Sequence, residues 1–149
     1  MFFKKKVAIQ NPFQGNVIPL EQVPDRVFSQ KLVGDGCAVI PINNRCVAPV
    51  DGVVSAHFET KHAICIKSKD NLSVLIHIGL DTVSMGGEGF QSHVQVGDKV
   101  TKGDLLITYD LEKIARHNSI ISPVLITNMD DVAALSLEDS NILYTVTLK

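Results

Sequence analysis

The chain reads as an all-β protein, an antiparallel β-sandwich or barrel-like fold with a few short helical turns. Three observations carry this. Short runs rich in Val, Ile and Thr recur along the whole length, each ended by Gly, Pro, Asn or Asp. Only one stretch, Leu111–His117, has the cap and length of a helix. A Pro-x-x-Gly-x-Val pattern also occurs twice, at Pro12–Val17 and Pro49–Val54, with a weaker echo at Ser122–Ile126. Two copies are too few for a solenoid, which needs about three stacked units. They fit a sandwich made of two similar halves.

Taken in order, Lys6–Gln10 and Asn16–Leu20 are strands flanking the turn Asn11–Gly15. Glu21–Gln30 is mixed, with a short helical turn around Asp25–Phe28. Gly34-Asp35-Gly36 turns the chain into the strand Cys37–Ile42. Asn43–Arg45 turns it again into Cys46–Val50, and Val53–Phe58 continues after Asp51-Gly52. Thr82–Phe90, with three glycines, is a loop; Ser92–Val96 is a short strand and Leu105–Tyr109 a longer one. Asp110 caps the helix Leu111–His117. Pro123–Thr127 is a strand, Asp130–Leu135 one or two helical turns, and Ile142–Leu148 alternates as a closing strand.

A chain of 149 residues, 45% apolar, can bury a sizeable core as one domain, here 1–149 with 1–6 as a short flexible tail. A net charge of −2 and the lack of Trp argue against a nucleic-acid partner, which needs a basic face and stacking platforms. Cys37, Cys46 and Cys65 are odd in number and irregular in spacing, which suits reduced thiols in a cytoplasmic protein. No run approaches the ~20 apolar residues of a membrane span, and no signal peptide follows the lysines at the N-terminus. Stable membrane insertion is not expected.

The chemistry concentrates in two stretches. His62 lies in Phe58–Ile66 and His77 in Val74–Asp81, both strand-like. Lys67–Asn71 between them is polar and turn-forming, so the two form a hairpin. With Lys69-Asp70 as a two-residue tip, Ser68 faces Asn71 and His62 faces His77. Facing residues have Cβ atoms roughly 4.5–5.5 Å apart, so the rings can touch. A slip of one residue would part them. A lone histidine in an apolar strand is more often core than chemistry, but two opposed ones are not simple packing. Two adjacent cations repel, so at least one ring stays neutral near pH 7 and offers a bare nitrogen to metal, phosphorus or carbon. Thr60, two residues before His62, shares its strand face and can fix a ring tautomer or donate to an oxyanion. Asp81 rims the site just past the strand.

These residues have a family look. Phe58–Ala63, Leu75–Val83 and Gly87–Phe90 resemble the glucose-type enzyme IIA family of the bacterial sugar phosphotransferase system, as do Val23–Phe28, Val33–Gly36 and Val47–Gly52. The likeness runs from about Ile9 to Lys149. It implies the sandwich called a duplicated hybrid motif. It implies that His77 accepts a phosphoryl group from the phosphocarrier HPr and passes it to a cysteine on the IIB domain of a sugar permease. His62 then donates to the phosphoryl oxygens and Thr60 orients it. No cofactor is needed, because positioning and N–H or O–H donors suffice for such a transfer. Two partners docking on one spot imply an apolar collar, expected from Val27, Phe28, Phe58, Leu75, Ile78 and Val83, with Asp25 and Asp81 as an acidic rim. Arg26 departs from the apolar residue often found at its position, and Lys61 faces solvent. A free-standing IIA is expected, as is the option of regulating other transporters or enzymes; the sugar itself is chosen by the permease.

The alternative is a zinc-dependent hydrolase holding its metal with His62, His77 and Asp81. His77-x-x-x-Asp81 suits this, but the companion His-x-His pattern is missing, and a catalytic zinc usually takes three protein ligands. Incidental zinc uptake by the histidine pair would not signal catalysis.

Overall fold

The structure is a computed structural model and describes residues 4–138 and 141–149. Its strands are β1 (Lys6–Gln10), β2 (Gly15–Pro19), β3 (Asp35–Pro41), β4 (Arg45–Val47), β5 (Gly52–His57), β6 (Ala63–Ser68) and β7 (Ser73–His77). Then come β8 (Phe90–Ser92), β9 (Lys99–Val100), β10 (Leu105–Tyr109), β11 (Ser122–Ile126), β12 (Val132–Leu137) and β13 (Ile142–Leu148). The helices are α1 (Arg26–Ser29) and α2 (Leu111–His117). Among the described residues the strands form a seven-stranded sheet, ordered β2-β3-β11-β7-β6-β5-β9, and two three-stranded sheets, β1-β13-β12 and β4-β10-β8. Every pairing is antiparallel. The all-β expectation holds.

The large sheet is covered on both faces, and the period-two alternation of its strands shows how. Cys37 and Val39, Ile64 and Ile66, Val74 and Ile76, and Val124 and Ile126 point into the main core between the sheets. Ala38, Ala63, Leu75 and Leu125 point the other way, into a smaller cluster closed by Leu20, Val23 and Phe28 from the α1 segment. α1 is a single turn that could not stand alone in water. Asp25 starts it by accepting from the Val27 amide at 2.9 Å, and Phe28 pins it to the sheet.

The internal echo is structural. The Gln10 amide donates to the Pro49 carbonyl at 3.0 Å, and the Val47 amide donates to the Pro12 carbonyl at 2.8 Å. Each donor lies two residues before its own copy's proline, so the two segments bond reciprocally about a local pseudo-twofold. The glycine of each copy is fixed for one reason. A Cβ on Gly15 or Gly52 would lie 2.0 or 2.2 Å from a carbonyl oxygen of the neighbouring strand.

Three sequence expectations need correction. The histidine hairpin closes through three residues, not two: the Ser68 amide donates to Leu72 O at 2.8 Å, and Asn71 takes φ 64°. Asn tolerates this left-handed conformation, and the extra residue shifts the register so that His77 faces Ala63. Phe58–His62 is the turn joining β5 to β6, not part of a strand. Asp130–Leu135 is not helical. A 3-10 turn at Met129–Asp131 leads into β12, because the apolar run from Val132 pairs with β13. Within the expected tail 1–6, Lys6 belongs to β1 and the Lys5 ammonium pairs with the Asp70 carboxylate at 2.7 Å.

Candidate active site

His77 ends β7 on the same face as Leu75, over the smaller apolar cluster. Its ring is half-buried and rests edge-on against Phe28, centroids 5.1 Å apart. Nδ1 lies 2.6 Å from the Gly79 carbonyl oxygen. A carbonyl only accepts, so Nδ1 carries the proton and Nε2 carries the lone pair.

His62 arrives by a different route. Phe58–Lys61 folds into a turn, with the Lys61 amide donating to Phe58 O at 2.8 Å and Lys61 at φ 59°. The chain then enters β6 at Ala63. His62 therefore lies outside the regular ladder, although its carbonyl accepts from the Ile78 amide at 2.7 Å. Its ring is buried, 5.6 Å from Phe58 and 4.9 Å from His77 at an interplanar angle of 78°. The two rings do meet, but the turn brings them together, not a facing pair in the ladder. Thr60 Oγ1 lies 2.5 Å from His62 Nδ1, again within the turn. If the hydroxyl donates, the His62 proton sits on Nε2, ready to serve as a donor.

The electrostatics favour neutral rings. Burial pushes His62 down to about 4, and the neighbouring His77 pushes the same way. Burial also lowers His77, against the opposing pull of the Gly79 carbonyl and the Asp25 and Asp81 carboxylates. A neutral His77 is a nucleophile at physiological pH; a protonated one is not.

The collar is only partly as expected. Val27, Phe58 and Val83 are exposed, at 46%, 45% and 57%. Phe28 and Leu75 are buried, and Phe28 contributes through its contact with His77. Ile78 is sealed in the main core, because alternation sends it to the face opposite His77, so it cannot meet a partner. The exposed Leu32 joins the surface beside Val27, whose carbonyl accepts from the Leu32 amide at 3.1 Å. Its only sequence signal is an apolar residue following a one-turn helix. Gly79 was the other omission. An isolated Gly after a strand histidine signals a close backbone approach, here the carbonyl at Nδ1.

The zinc alternative lacks its site. Among the described residues no three His, Cys, Asp or Glu side chains converge as a metal would require.

A family model for the phosphoenolpyruvate-dependent sugar phosphotransferase system, EIIA 1, matches residues 7–132. The chain belongs to this EIIA family. It is 48% identical over 129 residues to a glucose-specific EIIA component of Oceanobacillus iheyensis, covering 86% of this chain and 78% of the relative. It is 44% identical over 131 residues to a glucose-specific EIIA component of Haemophilus influenzae, covering 87% and 79%. A glucose-specific EIICBA component of Staphylococcus saprophyticus is 50% identical over 135 residues, which span 90% of this chain and 20% of that longer one. The solved glucose permease IIA from Mycoplasma capricolum superposes with a TM-score of 0.87 at 36% identity, covering 97% of this chain and 98% of that one. The EIIA chain is thus a phosphocarrier component of the sugar phosphotransferase system, with the sandwich its strands indicated. No helix among its described residues is long and apolar enough to cross a membrane.

Proposed function

We propose that His77 Nε2 takes the phosphoryl group from phospho-HPr and hands it to the IIB domain of a glucose-type sugar permease. The observation that carries this is the Nδ1–Gly79 bond, which leaves Nε2 as the nucleophile. In the accepting step the Nε2 lone pair forms a bond to phosphorus while the donor's bond to phosphorus breaks. The proton stays on Nδ1, and the positive charge that develops on the ring is met by the Gly79 carbonyl and the nearby Asp25 and Asp81 carboxylates. With the Thr60 hydroxyl donating to its Nδ1, His62 carries its proton on Nε2 and donates it to a phosphoryl oxygen. Such positioned donors do most of the catalysis in phosphoryl transfer, and no cofactor enters the step.

The exposed Val27, Phe58, Val83 and Leu32 form the docking collar and Asp25 and Asp81 its acidic rim. The relatives' names support a glucose-type partner, and the fused Staphylococcus chain supports pairing with a IIB domain. A cytoplasmic site of action follows from these partners.

The test is incubation with enzyme I, HPr and labelled phosphoenolpyruvate. The EIIA chain takes up label, and His77→Ala takes up none. Label retained by His77→Ala overturns the assignment.

A further inference from the structure

We infer that Ser122, a fully buried residue in the first position of β11, is a positioning residue that sets which nitrogen of His77 is the nucleophile. The inference rests on the phosphocarrier reading of His77 and extends it to a residue that touches neither the ring nor the phosphoryl group.

The chain of bonds is continuous. Ser122 Oγ donates to the Ile120 carbonyl at 2.9 Å, which spends its single proton and leaves its lone pairs facing Gly79. The Gly79 amide donates to that oxygen at 3.0 Å. One residue on, the Leu80 amide donates to the Ser119 carbonyl at 3.0 Å. Gly79 is thereby held on both sides. The Ser122 bond fixes the peptide that precedes its Cα. The Ser119 bond fixes the peptide that follows. In a trans peptide the N–H and C=O point in opposite directions, so anchoring Leu80 N–H to Ser119 aims Gly79 C=O away from it, at His77 Nδ1.

Gly79 can take this shape because it has no Cβ. Its φ is 73°, and a Cβ there would lie 2.7 Å from Thr82 Cγ2 and 2.8 Å from Ser119 O. A residue this permissive does not hold its own conformation, so the orientation of its carbonyl must be imposed from outside. Two bonds impose it together: the Ser119 carbonyl holds the peptide that carries the Gly79 oxygen, and Ser122, the one side chain involved, holds the peptide before it. Ser122 begins an internal strand, pairs with Val39 and is 0% exposed, so water cannot take over its bond to Gly79.

The consequence is chemical. With the carbonyl held at Nδ1, the His77 proton stays there and Nε2 attacks. With Gly79 loosened, the neutral ring is free to divide its population between the two tautomers, and only one of them presents a lone pair at Nε2.

The experiment is nitrogen-15 NMR of the His77 ring in the unphosphorylated protein near neutral pH, together with the rate of label uptake from phospho-HPr. The wild type shows the Nδ1–H form. Ser122→Cys keeps the shape of the side chain, with a slightly larger atom, but offers a poor acceptor; it shows a mixed tautomer population and accepts label about tenfold more slowly. Ser122→Ala behaves likewise. Ser122→Thr, which keeps the hydroxyl, restores both readouts. A structural defect alone would lower stability without changing the tautomer. Folded Ser122→Cys with the wild-type tautomer and uptake rate overturns the inference, and so does a wild-type ring that carries its proton on Nε2. If the wild type shows the Nδ1–H form but takes no label, the phosphocarrier reading fails while the serine's hold on the tautomer stands.

Discussion

The two histidines, 4.9 Å apart, are held in opposite ways. His77 ends a regular strand in the middle of the seven-stranded sheet, and a backbone carbonyl fixes its tautomer. His62 follows a tight turn, and its Nδ1 pairs with the Thr60 hydroxyl. A backbone acceptor is set by the fold and can only accept. A hydroxyl can both donate and accept, so its partner can change roles as charge arrives. The difference matches the division of labour proposed here: a nucleophile with one fixed lone pair, and a donor that adjusts to a transient phosphoryl group.

Removing His62's donor breaks the comparison most sharply. His62→Ala leaves the His77–Gly79 bond in place, so His77 still accepts label. Onward transfer to a IIB domain falls about 10²–10³-fold, the loss expected for one transition-state donor. Rapid-quench transfer assays read both steps separately. Onward transfer at the wild-type rate contradicts the role given to His62.

Gly79→Ala attacks the other arm. Strain at φ 73° and the close contacts with Thr82 and Ser119 destabilise the fold by roughly 2–4 kcal/mol, measured as a shift of the urea midpoint. Label uptake falls as well, because the carbonyl must move. Thr60→Val probes the side-chain arm more gently. It removes the donor to His62 Nδ1 and slows onward transfer about tenfold, the scale of one ordinary hydrogen bond. Thr60→Ser stays near the wild type.

Acidification perturbs both arms least at working pH. His62 ionises at about 4 in the folded protein against an ordinary 6.5, and His77 is lowered too. Between those values the unfolded chain binds more protons than the folded one, so stability rises with pH across the window. The contribution is complete above about 6.5 and is lost as pH falls towards 4. Urea midpoints at pH 7 and pH 5 show the loss, and His62→Gln reduces it.

Much of this was legible in the residues. The strand runs, the Asp110-capped helix, the Pro-x-x-Gly-x-Val echo and the histidine pair all follow from local pattern. What failed was the route by which the rings meet. Asn71 in a left-handed conformation turned a two-residue hairpin into a three-residue one and moved the register by one. On a regular ladder that slip would have separated the rings. It did not, because Phe58–His62 is a turn, and a turn frees His62 from the alternation that binds His77. Ile78 shows the reverse: strict alternation placed it in the core, where a motif alone suggested a surface. Ser122 left no sequence trace as a site residue, since its role depends on a contact 43 positions away in the chain.

The most direct test of the account is the position of the phosphoryl group on the phosphorylated EIIA chain, read by nitrogen-15 and phosphorus-31 NMR. The geometry requires a single adduct at His77 Nε2, with the proton on Nδ1. A phosphoryl group at Nδ1, or on His62, contradicts it.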